Sequence, residues 1–186
     1  MMKPFLRRLL IATGCLLFLP AAWAHAPITM VGGHAMYPSR NIIANAVNSR
    51  AHTLLVRAVK AAGLVKALEG PGPFTVFAPT NSAFRRLPQG TLAKLLTAAE
   101  RPTLKKILLY HVVAGRWSYA RLMRAVRESG GRFRLKTLEG QSLWIIRNGN
   151  RNLEVRDAQG HVADITIYDV NQSNGVIQVI NRVLMP

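Results

Sequence analysis

Gly70-Pro71-Gly72-Pro73-Phe74-Thr75-Val76-Phe77-Ala78-Pro79-Thr80-Asn81 decides how the rest of the chain is read. Two Gly-Pro pairs enforce a turn, because proline fixes φ and lacks an N–H while glycine accepts φ > 0. Phe74 to Ala78 then make a short apolar run, with Phe74, Val76 and Ala78 on one face and Phe77 on the other. A run apolar on both faces predicts a strand inside a sheet and covered on both sides, the most buried strand of the fold. Pro79 stops it, and Thr80 or Asn81 offers an oxygen to cap a helix starting at Ser82-Ala83-Phe84.

Toward the N-terminus the periodicity is helical. Ser39 is placed to cap a helix with the stripe Ile42, Ile43, Ala46 and Val47. A second helix carries Leu54, Leu55, Ala58, Val59 and Ala62 and stops at Gly63, and Leu64 to Glu69 adds one or two turns. Residues 25–38 read as an extended leader, with Gly32-Gly33 and Pro38 working against regular structure. Residues 1–24 read as a signal peptide: Lys3, Arg7 and Arg8, then Leu9 to Leu19, then Ala22-Trp23-Ala24 before the cut. About 15 apolar residues broken by Pro20 fall short of the ~20 that a spanning helix needs. Cleavage after Ala24 removes Cys15, the only cysteine, so neither disulfides nor thiol chemistry support the secreted or periplasmic product. No transmembrane anchor is expected after cleavage.

Toward the C-terminus the period changes. A short helix around Phe84 precedes the Leu87-Pro88-Gln89-Gly90 turn and the apolar residues Leu92, Leu95 and Leu96. Pro102 opens a helix with Leu104, Ile107, Leu108 and His111 on one face, and Ser118 caps another that runs to about Glu128 and Gly130-Gly131. Then strands follow: Arg132 to Lys136, Leu143 to Ile146, Leu153 to Arg156, Val162 to Val170 and Val176 to Val183, with Asn148-Gly149 and Asn174-Gly175 as turns. Helices first and hairpin-linked strands later predict an α+β domain over residues 39–186 with mostly antiparallel pairing.

Three blocks of this chain resemble a known family. Pro73 to Phe84, with Phe74, Thr75, Phe77, Ala78, Pro79, Thr80 and Asn81, is similar to the first signature of the fasciclin domain. Tyr110-His111-Val112-Val113 resembles its central motif, and Ser173 to Leu184, with Asn174, Gly175, Val176 and Ile177, its terminal one. Met36-Tyr37-Pro38-Ser39 is similar to the leader of single-domain bacterial members. The resemblance implies a wedge-shaped β-sandwich with packed N-terminal helices in a secreted or surface-attached protein. It also implies adhesion to cells, matrix or polysaccharide, and no enzymatic activity. Gln178 and Asn181 stand where members often carry His and Asp, which removes any charge role there. Tyr110, His111 and Asp169 alone are too few to carry integrin binding across.

The residues themselves give no catalytic pattern. His25, His34, His52, His111 and His161 are dispersed outside HExxH or HxH spacing. There is no G-x-S-x-G elbow, no phosphate-cradling Gly-Lys loop and no carboxylate pair at useful spacing. His111 falls on a helical apolar face and reads as a buried neutral imidazole. No cofactor is expected, and the alternative of a metal centre rests on His25 and His34, with Met36 nearby.

Charge is the unusual feature. Formal net charge is +17, and loss of Lys3, Arg7 and Arg8 leaves 22 basic against eight acidic residues, net +14. Ten basic residues lie between Arg116 and Arg156. Arg121, Arg124 and Arg127 recur along one helix face, while Arg132, Arg134 and Lys136 share one strand face opposite Phe133 and Leu135. If the helix folds back beside the strand, these and Arg116 form one polyanion-docking surface, since guanidinium forks suit sulfate, phosphate and carboxylate. The expected partner is an anionic polysaccharide or surface polymer, without specific nucleic-acid binding. The alternative is a structural protein–protein interaction module whose charge serves solubility alone.

Overall fold

The computed structural model describes residues 28–186. The signal peptide, its cleavage site and His25 lie outside the described residues. The chain is α+β, with a seven-stranded sheet that curls until it nearly closes.

The expected leader is instead a hairpin, β1 (Thr29–Val31) and β2 (His34–Met36), paired antiparallel. Gly32 and Gly33 both take positive φ, so the pair read as a breaker is the two-residue turn that joins the strands. Val31 and Met36 enter the core. Helix α1 (Ile42–Ala46) is capped by Asn41, whose Oδ1 accepts the Ala44 N–H at 2.8 Å. Ser39 does not cap, because it lies in the turn closed by Arg40 N–H donating to the Tyr37 carbonyl. A 3-10 turn (Arg50–His52), α2 (Thr53–Ala61) and α3 (Val65–Glu69) follow.

Strand β3 (Phe74–Pro79) is next, with Pro79 inside it rather than beyond it. Thr80 caps α4 (Asn81–Arg85), accepting the Ala83 N–H. Helices α5 (Thr91–Leu95) and α6 (Arg101–Tyr110) lead into β4 (Val112–Ala114), a three-residue strand hidden in the sequence behind α6. Ser118 caps α7 (Tyr119–Glu128), and β5 (Arg132–Lys136), β6 (Ser142–Asn148), β7 (Asn152–Arg156), β8 (Val162–Gln172) and β9 (Gly175–Ile180) complete the chain order.

The sheet order is β4-β3-β9-β8-β7-β6-β5. All pairings are antiparallel except β3 with β9, which is parallel from Phe74↔Gly175 to Pro79↔Ile180. The two ends of the sheet meet at one bridge, Val113↔Thr137. Two cores result. Val76 and Ala78 of β3, with Ile177 and Val179 of β9, face helices α1 to α6. Phe77 and Ile180 point the other way, into the curl of the sheet, with Tyr110, Leu143, Ile145, Val155 and the apolar side of α7. Coverage of β3 on both faces is as the sequence predicts. The most buried strand is nonetheless β9, buried at all six positions, whereas Phe74 at the start of β3 is only half-buried.

Candidate functional site

The family-motif residues spend their polar groups inside the fold. Asn174 is 7% exposed, and its Oδ1 accepts the Ile42 N–H at 3.0 Å while its Nδ2 donates to the carbonyls of Leu68 and Gly70 at 2.8 and 2.9 Å. Next to it the backbones of β3 and β9 approach so closely that a Cβ on Gly175 would lie 2.1 Å from the Phe74 carbonyl oxygen. Asn81 accepts the Leu54 N–H and donates to Thr53 Oγ1 and the Arg50 carbonyl, tying α4 to α2. Thr75 Oγ1 donates to the Gly115 carbonyl and accepts the Trp117 N–H. Asp169 adopts a φ of 54° and takes the Tyr119 N–H at the start of α7. Gln178, fully buried, donates to Asp169 Oδ1 and the Trp117 carbonyl and accepts the Asp169 N–H, so its side-chain amide is bonded at both ends.

Tyr110 and His111 belong to the same framework. The Tyr110 hydroxyl donates to the Ser142 carbonyl and accepts the Ala158 N–H. Burial pushes its pKa up to about 12, the Ala158 N–H opposing and the charges of Asp157 and Glu139 adding to the rise. His111 is 2% exposed; its Nδ1–H donates to the Ile107 carbonyl and Nε2 accepts the Leu184 N–H at 2.9 Å. That pair of bonds fixes the neutral tautomer, and burial drives the pKa down to about 4. Between the helices and β3 lies an apolar cavity of about 50 Å³ bordered by Val31, Met36, His52 and His111. It is too small for an organic ligand unless the helices move. Among the described residues no three His, Cys, Asp or Glu side chains gather to hold a metal. His34 Nδ1 bonds its own turn at the Gly32 carbonyl. No described helix is long and apolar enough to cross a membrane.

The basic residues are arranged differently from the single expected surface. Helix α7 does fold back after Gly130-Gly131, but Leu122, Met123 and Val126 land on Leu135, Leu143 and Ile145, the inner face of β5 and β6. Arg132, Arg134 and Lys136 alternate with that inner set and point outward. Arg121, Arg124 and Arg127 lie on the exposed side of α7, across the layer from them. Two basic faces result. On the helix side Arg127 and Arg147 border one open depression with Gly130 and Gly131. On the sheet side, Arg132 and Arg134 lie 5.3 and 5.9 Å from the Trp144 ring centre. Arg116 joins neither face, since its half-buried guanidinium donates to Asn171 Oδ1 and the Gln172 carbonyl. Arg121 is partly committed too, stacked 3.9 Å from the Trp117 ring centre and donating to the Arg116 carbonyl.

Sequence reasoning missed Trp144. Its signal is the strand pattern itself, because Trp144 occupies an outward position between the inward Leu143 and Ile145. Among the described residues no arginine lies within ion-pair distance of a carboxylate; the pairs present are Lys94–Glu100 and His161–Asp157.

Comparison with known proteins agrees with this architecture. The family model described as Fasciclin domain matches residues 50–186. The chain is 42% identical over 147 residues to Protein sll1483 of Synechocystis sp., covering 78% of this chain and 73% of that one. It is 38% identical over 137 residues to transforming growth factor-beta-induced protein ig-h3 of Sus scrofa, covering 72% of this chain and 17% of the relative. A solved FAS1 domain pair from the insect cell adhesion molecule Fasciclin I superposes with a TM-score of 0.70 at 19% identity, covering 79% of this chain and 51% of that one. The matched span contains the clasps at Asn81, Tyr110, His111 and Asn174, and the chain belongs to the fasciclin domain family.

Proposed function

We propose that this protein is a secreted, non-enzymatic adhesion module that attaches to anionic polysaccharide or another anionic surface polymer. The observation that carries this is uncompensated charge: 22 basic residues meet eight acidic ones in residues 28–186, and none of the arginines is ion-paired there. Such a surface draws in polyanions over long range and releases their counterions on contact. Membership of a family that includes a cell adhesion molecule supports the adhesive role, and burial of Thr75, Asn174 and His111 leaves the basic side chains as the solvent-facing charge. Export across a membrane places that surface where cell-wall and matrix polymers are met.

Retention on a heparin resin tests the proposal. Binding at low salt should collapse as salt rises, since the Debye length falls from about 10 Å at 0.1 M to about 3 Å at 1 M. Failure to bind heparin, polygalacturonate and dextran sulfate at low salt would sink it. A protein partner is the second reading, and it is favoured by the exposed Ile28 and Met30, 57% and 59% accessible, on and beside β1.

A further inference from the structure

The register of β5, β6 and β7 aligns Arg134, Trp144 and Arg156 in one row on the outer face of the sheet. Neighbouring strands are about 4.8 Å apart, so the two arginines flank the indole across about 10 Å. One residue pair along, Arg132 stands opposite Ile146, and its guanidinium reaches back over the same indole. A guanidinium stacked on an aromatic ring is held in place while its N–H fork stays free to bind an oxyanion bidentately. Nearby acids do not consume these forks. Glu154 Oε1 is taken by Asn148, and Asp164 by the side chain of Asn181.

We propose that Arg132, Arg134 and Arg156, arranged about Trp144, form the anion-binding subsite, and that its ligand is an extended polysaccharide bearing sulfate or carboxylate groups. This rests on the polyanion reading above and assigns it to the sheet face rather than to α7. Single-stranded nucleic acid fits less well. Its non-specific binders offer open aromatic faces on which bases stack, whereas guanidinium groups already cover this indole. Glu154 and Asp164, in the row with Arg132, bound the site on the β7–β8 side, so a chain carrying spaced charges follows β5 and β6.

Two charge-matched triple variants of the full, processed protein separate this site from general charge. R132Q/R134Q/R156Q removes the sheet-face forks, and R124Q/R127Q/R147Q removes three arginines from the helix side. All six are exposed, so both variants should melt with the unaltered protein. Heparin affinity should fall at least tenfold for the sheet-face variant and less than threefold for the other. W144L, which keeps every charge but removes the shelf, should fall between them. In a W117F background, heparin and polygalacturonate should each change the emission of Trp144, which separates sulfate from carboxylate recognition. Equal losses from the two triple variants would overturn the site while leaving the polyanion reading intact. Tighter binding of an oligo-dT strand than of either polysaccharide would overturn the ligand class. Absence of binding by the unaltered protein would bring down both readings.

Discussion

Lowering the pH from 7 to 5 should cost this domain about 2 kcal/mol through His111 alone. The ring is buried, donates through Nδ1 to the Ile107 carbonyl and accepts the Leu184 N–H at Nε2, so a second proton has no place to go. Burial lowers its pKa from 6.5 to about 4, outweighing the Ile107 carbonyl and the Asp157 charge, which pull upward. Between those values the unfolded chain takes up a proton that the folded chain refuses. The contribution is therefore complete above pH 6.5, declines as the pH falls, and levels off below about pH 4 after a loss of roughly 3 kcal/mol. Urea unfolding of the unaltered protein and of His111→Gln, at pH 7, 6 and 5, measures it. At pH 7 the variant should be about 2–4 kcal/mol less stable, since the Ile107 carbonyl and the Leu184 N–H lose their partners. That difference should shrink by about 2 kcal/mol at pH 5. His52 is also buried with a lowered pKa, but it remains in both proteins and cancels in the comparison. A difference that does not change with pH, or an imidazole resonance of His111 titrating near 6.5, would refute the neutral-strut assignment.

Asn174→Ala removes three hydrogen bonds, two of them buried, and should cost about 2–4 kcal/mol in chemical denaturation; a loss below about 1 kcal/mol would mean the clasp is dispensable. N-terminal sequencing of the exported protein should begin at His25. A retained leader, or a lipidated Cys15, would contradict cleavage after Ala24.

Much of the fold is legible because single residue types demand it. The two-faced apolar run at Phe74 to Ala78 has to be covered on both sides, and Ser118 and Thr80 cap the helices they precede. Local signals fail where length is short or the partner is distant. The three-residue strands β1, β2 and β4 carry too little alternation to register, and Gly32-Gly33 reads as a breaker until two strands flank it. The parallel pairing of β3 with β9 links residues about a hundred apart and leaves no local trace. The same limit applies to the basic surface. Exposure of Arg121, Arg124, Arg132 and Arg134 follows from period, but the separation into two faces depends on which side of the sheet receives α7. The inward turn of Arg116 depends on Asn171 and Gln172, and the role of Trp144 on cross-strand register.

The position of β9 between β3 and β8 also governs the order in which structure can be gained. The floor on which α1 to α6 rest is half supplied by Ile177 and Val179, so the amino-terminal helices have no complete surface to settle on until residue 180 is available. A chain threaded through a membrane pore from its amino end would thus remain unfolded for nearly its whole passage. The loop closed by this pairing carries a large entropic cost that local contacts do not repay in advance, and it makes assembly of the domain a late, all-or-none event. Under the export proposed above, that late step leaves the polypeptide unfolded until residue 180 has emerged.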